Sequence, residues 1–232
     1  GGISCGMRAS AGAIEKVSID KDTLEPKLTI IGDCNPIGIC GSGIIDLICQ
    51  MLLKGVIDRR GKIQKDLNNR RVRFNEHEIG EYVLAFKDDY EGLENDLVVN
   101  EVDIDNFIRA KGAIYSGASV LLESLGMDFE VIDKVYIAGG IGNNLDIENS
   151  ILIGLLPDVD RSKFQYIGNS SLVGSYLALI SSDAKHKLEE IGSQMTYVEL
   201  SVYPTYMDEF VSACFLPHTN IDSFPTVKEI LE

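Results

Sequence analysis

The sequence has 232 residues, of which 45% are hydrophobic and 25% are charged, as in an ordinary soluble globular protein. Its formal net charge of −15 repels phosphate backbones and anionic lipid head groups, which argues against nucleic acid and membrane surfaces as partners. No apolar run approaches the roughly 20 residues that a membrane-spanning helix needs.

The chain opens on residues 1–12, which are rich in Gly, Ser and Ala and predict a compact loop that lets backbones approach closely. The first residue is Gly1 and not Met, and the opening reads like the inside of a domain, so we expect a fragment of a longer protein. Lys27 to Ile31 is predicted to be a short strand.

A glycine-rich loop, Gly38 to Gly43, stands before the first predicted helix. Apolar residues recur at helical spacing from Ile44 to Leu52, and Gly55 marks the end of this helix. Residues 59–96 are polar and carry two short apolar runs, Val72 to Phe74 and Tyr82 to Ala85, which predict hairpin strands in a small peripheral insertion.

The next helix has the clearest signals. Asn100 is placed to cap it, and Asp103 stands where a capping box needs an acidic residue. Gly126 supplies a stop. The predicted buried face runs along one side of the helix and includes Ile104, Phe107, Ile108, Tyr115, Ala118, Leu121, Leu122 and Leu125.

From residue 131 onward, predicted strands and helices alternate with short links, which is typical of an α/β fold that holds ligands at the ends of its strands. The predicted strands are Val135 to Ala138, Phe164 to Ile167 and Thr196 to Leu200. The predicted helices run from near Asp146 to Leu155, from the Gly168 to Ser171 loop through Ile180, from Asp183 to Ile191 and, as the last helix, from Thr205 to Phe215.

The turn after the Val135 to Ala138 strand is the best candidate for a ligand site. Backbone without side chains lets N–H groups point at an anion or lets the chain lie flat against a purine. Two readings stay open, a nucleotide-binding loop and a tight turn that requires positive φ. The candidate residues are Gly139, Gly140, Gly142 and Asn143, with Asn144 beside them.

The loop before the first helix offers a weaker phosphate site, with Gly38, Gly41, Ser42 and Gly43 as candidates. It has neither the Walker A pattern nor G-x-G-x-x-G. Asp46 either reaches a metal-bound water or, as the reading we favour, faces solvent in the first turn. The loop from Gly168 to Ser171 is expected to cap its helix.

No catalytic constellation follows from spacing, and we predict no metal site. The five cysteines contain no Cys-x-x-Cys pair and fit reduced thiols in a cytosolic protein. The three histidines, His77, His186 and His218, are isolated from one another in the sequence and are expected to be surface or packed residues.

Taken together, these motifs resemble the ATP-dependent reductive activators of corrinoid proteins, along nearly the whole chain. The matching stretches are Ile3 to Ala9, Gly12 to Glu15, Gly38 to Asp46, Ile108 to Tyr115, Val135 to Asp146, Glu148-Asn149, Gly154 to Asp158, Ile167 to Leu172, Met207 to Phe210 and Leu216 to His218.

The resemblance implies an actin-like (ASKHA, ribonuclease H-like) lobe with a mixed sheet covered by helices, and it makes residues 1–232 the C-terminal part of such a domain. It further implies ATP with Mg²⁺ as ligand and a [2Fe–2S] cluster in an N-terminal domain that this sequence lacks. The two Asp-Ile-Gly-Thr phosphate loops of the family are also absent from this sequence.

The implied function is the return of Co(II) corrinoid to Co(I) in the corrinoid protein of a methyltransferase system, by a cytoplasmic homodimer. This chain would supply the adenosine-side loop and contacts between lobes or with the partner, and would be inactive alone. A docking or dimerisation module for the corrinoid protein is the main alternative. A small-molecule kinase lobe is a further one.

Overall fold

In the computed structural model, which describes residues 2–140 and 145–232, the strands form three small sheets. In the first, β1 (Ala13–Ile19) lies between antiparallel β2 (Pro26–Ile30) and parallel β3 (Gly38–Ile39). The second is antiparallel, in the order β4 (Val72–Phe74), β5 (Gly80–Ala85) and β6 (Leu97–Asn100). The third pairs β7 (Val135–Ile137) in parallel with β8 (Phe164–Tyr166).

Helices of very different length accompany these sheets. The described helices are α1 (Gly41–Leu53), α2 (Glu101–Ser124), α3 (Ile147–Leu152), α4 (Ser170–Ile180), α5 (Ser182–Gln194), α6 (Tyr206–Ala213) and α7 (Pro225–Leu231). This mixture of small sheets and covering helices confirms the predicted α/β class.

The main core lies where α1 packs on β1. Ile14 of β1 and Leu47, Ile48 and Met51 of α1 are completely buried there. The antiparallel sheet joins the same core through Tyr82, whose hydroxyl donates a hydrogen bond of 2.9 Å to the carbonyl oxygen of Leu24. The strands predicted within residues 59–96 are therefore confirmed, whereas the description of this segment as an insertion stays a prediction.

The start of α2 confirms the predicted capping box. The side chain of Asn100 accepts hydrogen bonds from the N–H groups of Val102 and Asp103, both at 2.9 Å. In return, Asp103 Oδ2 accepts from the N–H of Asn100 at 3.2 Å. The buried face is shorter than predicted, because Leu121 and Leu125 are 46% and 63% exposed.

Several predicted elements differ from the observed ones. Thr196 to Leu200 is not a strand; the backbone there instead enters a short 3-10 helix at Leu200–Val202. The helix at Thr205 to Phe215 is not the last one, because α7 follows it. Strand β1 was not predicted. Within the described residues, no helix is both long enough and apolar enough to cross a bilayer.

Candidate functional site

The two parallel strands β7 and β8 bring two glycine turns together at their carboxyl ends. Gly139 follows β7 with φ +96°, and its N–H donates a hydrogen bond of 2.8 Å to the carbonyl oxygen of Gly168, which follows β8. A side chain added at Gly139 or Gly140 would meet no atom within 4 Å among the described residues. The turn is therefore bare backbone facing open space.

The beginning of α1 is a second stretch of bare backbone. Cys40 stands at the N-cap without a side-chain capping bond, and the first turn carries no acidic residue. The hydroxyl of Ser42 points away from the helix end and donates a hydrogen bond of 3.0 Å to the carbonyl oxygen of Glu15. Because the first N–H groups of a helix have no partner within it and lie at the positive end of the helix dipole, this end favours an anion.

These two stretches line one cavity of about 620 Å³. Some of the predicted site residues line this cavity, namely Gly41 and Ser42 at the start of α1 and Gly140 after β7. Gly140 lies 98 positions after Ser42 in the sequence. Gly142 and Asn143, also predicted, lie outside the described residues. The remaining lining residues are Met7, Arg8, Ala9 and Cys40.

Arg8 is the cavity residue that sequence spacing did not single out. The residues just before it pair with one edge of β3: the Met7 N–H donates a hydrogen bond of 2.9 Å to the Ile39 carbonyl oxygen, and the Ile39 N–H donates one of 2.9 Å to the Cys5 carbonyl oxygen. The sequence signal that could have identified Arg8 is a single cationic residue in a loop rich in Gly, Ser and Ala. It gives the cavity a positive side chain in a protein of net charge −15.

The loop that carries Arg8 is also fixed to α2. Asp103 Oδ1 accepts hydrogen bonds from both the N–H and the hydroxyl of Ser4, at 2.7 and 2.9 Å. Burial, followed by the charge of Asp103, raises the pKa of the neighbouring Cys5 thiol to about 12. A raised pKa keeps the Cys5 thiol in its neutral form and lowers its reactivity as a nucleophile.

Gly38 and Gly43, also predicted as site residues, lie in tightly packed positions. A β-carbon on Gly38 would lie 2.5 Å from the Cys5 carbonyl oxygen, and one on Gly43 would lie 2.3 Å from the Ile14 carbonyl oxygen. Both glycines let neighbouring backbones approach within the core. Neither lines the cavity.

The interpretation of Asp46 as a solvent-facing residue is wrong, because the residue is only 8% exposed. It accepts a hydrogen bond of 2.8 Å from Asn149 Nδ2. Burial raises its pKa, and the bond from Asn149 acts against that shift. Within the described residues, no group of three or more His, Cys, Asp or Glu side chains is arranged to hold a metal ion.

Other predictions for polar residues are confirmed. Asn169 caps α4, its side chain accepting from the Leu172 N–H at 3.2 Å. His218 is a packed histidine, 5% exposed, whose Nδ1 accepts from the Asn220 N–H at 3.1 Å. His77 and His186 lie on the surface.

Comparison with known proteins agrees with this architecture. Residues 1–228 match the family described as the C-terminal domain of RACo, the ASKHA domain. The chain belongs to this family. Its membership makes the fold ASKHA-type and confirms the resemblance found in the sequence motifs.

Two relatives of this RACo C-terminal domain are named for their action on corrinoids or corrinoid proteins. The chain is 31% identical over 215 residues to the corrinoid activation enzyme RamQ of Eubacterium limosum, which covers 90% of this chain and 36% of that protein. It is 24% identical over 215 residues to a [Co(II) methylated amine-specific corrinoid protein] reductase of Methanosarcina barkeri, covering 84% of this chain and 35% of that protein.

A solved structure is similar in fold as well as in sequence. It is a reductive activator for corrinoid, iron–sulfur protein, with a TM-score of 0.90 and 49% sequence identity, over 97% of this chain and 36% of that one. The chain therefore spans little more than a third of the length of the relatives it matches.

Proposed function

We propose that this chain forms one wall of the ATP site in a reductive activator of a corrinoid protein. The supporting observation is that Gly140, the beginning of α1 and the Arg8 loop line one cavity, although they are far apart in the sequence; Gly139, the other described glycine of the turn, is not among its lining residues. Its volume of about 620 Å³ lies within the usual range of small-molecule sites.

The chemistry of the cavity wall assigns an orientation to the nucleotide. Arg8 and the N–H groups at the beginning of α1 suit phosphate oxygens. The bare backbone at Gly139 and Gly140 suits the flat face of the purine or the ribose, with Gly142 and Asn143 continuing this adenosine-side loop. Mg²⁺ would be held mainly by phosphate oxygens and water, as is usual for this ion, so we assign it no side chain of this chain.

The [2Fe–2S] cluster belongs, in this proposal, to a part of the intact protein outside this chain. Cluster ligands are cysteine thiolates grouped around the cluster. Within the residues that the structure describes, no group of three or more His, Cys, Asp or Glu side chains is arranged to hold a metal ion. Cys49 is completely buried in the core.

ATP would act through the angle between two lobes, of which this chain supplies one. A ligand shifts such an equilibrium only if it binds one arrangement more tightly. The arrangement that ATP favours would dock the corrinoid protein and bring the reduced cluster to the Co(II) corrinoid, which one electron reduces to Co(I). We place this activity in the cytoplasm.

A second function, docking or dimerisation, is favoured by the surface of α4. No residue of this helix is buried, and a row of its apolar side chains faces outward. Their exposed fractions range from 54% to 86%, at Leu172, Val173, Tyr176, Leu179 and Ile180. An apolar face of this kind is typical of a protein contact surface, and it fits a homodimer or a bound corrinoid protein.

The test is a calorimetric titration of the intact protein with ATP, together with an absorbance assay of Co(II) to Co(I) conversion. Gly140→Val places a side chain in open space within the cavity and should weaken ATP binding by about 10-fold or more. Gly192→Val is the matched control, because Gly192 lies in α5 and also has no atom within 4 Å of a β-carbon.

The two functions give different results. Loss of ATP binding and of ATP-stimulated activation in Gly140→Val, with corrinoid protein still bound, supports the nucleotide function. Leu179→Glu should leave ATP binding intact and, if α4 is the contact surface, abolish dimerisation or docking in size-exclusion chromatography. An intact wild-type protein that binds no ATP would rule out the nucleotide function.

A further inference from the structure

A partly buried polar contact joins α1 to α3. Asn149 donates 2.8 Å from Nδ2 to Asp46 Oδ1, and its Oδ1 accepts a hydrogen bond of 3.1 Å from the thiol of Cys49. Asn149 thus uses both ends of its amide. Since an unpaired polar group costs free energy when it is buried, these side chains hold one another in a fixed arrangement.

The position of this contact relates it to both walls of the candidate site. Asp46 lies in the second turn of the helix whose first residues, Gly41 and Ser42, line the cavity. Asn149 lies in the first turn of α3, the helix that follows the Gly139–Gly140 turn in the chain. The N-cap of α3 is Asp146, whose side chain accepts from the Asn149 N–H at 2.9 Å.

Neither Asp46 nor Asn149 lines the cavity, so neither is placed to touch a bound nucleotide. Their effect on a ligand would pass through the backbone elements that they connect. The Asp46 carboxylate also faces the backbone of Val17 in β1, and the nearby N–H of Val17 acts to lower the pKa of this carboxyl group. Asp46 therefore lies where β1, α1 and α3 meet. From this position it can set the spacing between these three elements.

We propose that Asp46 and Asn149 are a positioning pair that holds α3 against α1, the helix whose first residues line the cavity, and thereby sets the fit of the nucleotide. This inference rests on the proposed ATP function. It deepens that function by naming residues that tune affinity from outside the contact surface.

The experiment exchanges the carboxylate of position 46 and the amide of position 149, two groups of nearly the same shape. Asn149→Asp alone sets two carboxylates against each other and should weaken ATP binding about 10-fold, the size of one polar contact. The double variant Asp46→Asn with Asn149→Asp restores a donor facing an acceptor, and position 149 still accepts from Cys49. We expect its ATP affinity to return to within about 3-fold of wild type.

Controls separate positioning from general stability. Asn95→Asp adds the same charge at an exposed site and should leave ATP affinity unchanged. All titrations use the intact protein at a temperature at which thermal melting shows every variant folded. Wild-type affinity in Asn149→Asp, or a weakened affinity that the double variant does not restore, overturns the positioning role. No ATP binding by the wild type would instead overturn the proposed function itself.

Discussion

The ammonium of Lys111 donates a hydrogen bond of 2.6 Å to the carbonyl oxygen of Pro217, in a site where the lysine is only 1% exposed. It also donates to the carbonyl oxygen of Phe215. The carbonyl of Pro217 in turn lies against Gly154, where a β-carbon would come within 2.2 Å of it. Lys111 thus ties the middle of α2 to the segment between α6 and α7, against the end of α3.

This lysine should give the protein a distinctive pH dependence of stability. Burial lowers the pKa of Lys111 to about 7, whereas lysine in an unfolded chain titrates near 10.4. Between these values the unfolded state binds more protons than the folded state, so the free energy of unfolding rises with pH. The contribution is at most about 1.4 kcal/mol per pH unit, and it is absent below pH 7.

Lys111→Met should remove this rise. Urea unfolding between pH 7 and pH 10 gives the free energy of unfolding of both proteins. The value for the wild type minus the value for the variant should grow with pH. Lys21→Met, at an exposed position, is the control and should keep the wild-type slope. Equal slopes in wild type and Lys111→Met would contradict the prediction.

The capping box of α2 gives a prediction that depends on local geometry. Asn100→Ala removes the acceptor of two backbone N–H groups and should lower the free energy of unfolding by about 0.5–2 kcal/mol. Asp103→Ala should cost more, because Asp103 also holds the N–H and hydroxyl of Ser4. Val102→Ala, at a half-exposed neighbour, serves as the control for urea unfolding. A ranking with Asn100→Ala as the more damaging change would count against this account.

Local patterns explain why this helix was predictable and why β1 was not. Asn100 and Asp103 lie three residues apart, so the sequence contains the whole capping motif. In β1 the pairing with β2 shifts register between Ile14 and Lys16. The irregularity breaks the alternation of buried and exposed residues on which strand prediction depends. Thr196 to Leu200 shows the reverse case, since its strand-like composition has no pairing partner in the described chain.

The candidate site was predictable only in part, for a related reason. The sequence does not distinguish a glycine that faces a ligand from a glycine that faces another backbone segment. Gly140 faces open space, whereas Gly43 touches the Ile14 carbonyl, and only the packing of α1 on β1 distinguishes them. The burial of Asp46 likewise depends on Asn149, which is 103 positions away.

This difference between the glycines is itself testable. Gly43→Ala forces a methyl group against the Ile14 carbonyl oxygen at 2.3 Å and should lower the free energy of unfolding by about 3 kcal/mol. Gly140→Ala meets no atom and should change it by less than about 0.5 kcal/mol. Chemical denaturation of the two variants beside the wild type measures both values. Similar losses in both variants would show that the distinction between packing and cavity glycines is wrong.

Arg8 is the sharpest test of how a nucleotide lies in the cavity. The protein carries a net charge of −15, so its overall field repels ATP and a local cation has to offset that repulsion. A hydrogen bond to a charged group contributes about 1.5–3 kcal/mol. Arg8→Gln should therefore weaken ATP binding roughly 10- to 150-fold and leave the binding of adenosine unchanged. Lys27→Gln, which removes a surface cation on β2, should affect neither ligand.

Comparing adenosine with ATP separates the two walls of the cavity. If Arg8 faces the phosphates and the Gly139–Gly140 turn faces the nucleoside, Gly140→Val weakens both ligands, whereas Arg8→Gln weakens ATP alone. The salt dependence of ATP binding should also become shallower in Arg8→Gln, because one screened charge interaction has been removed. Equal weakening of adenosine and ATP by Arg8→Gln would place the arginine against the nucleoside and reverse the proposed orientation.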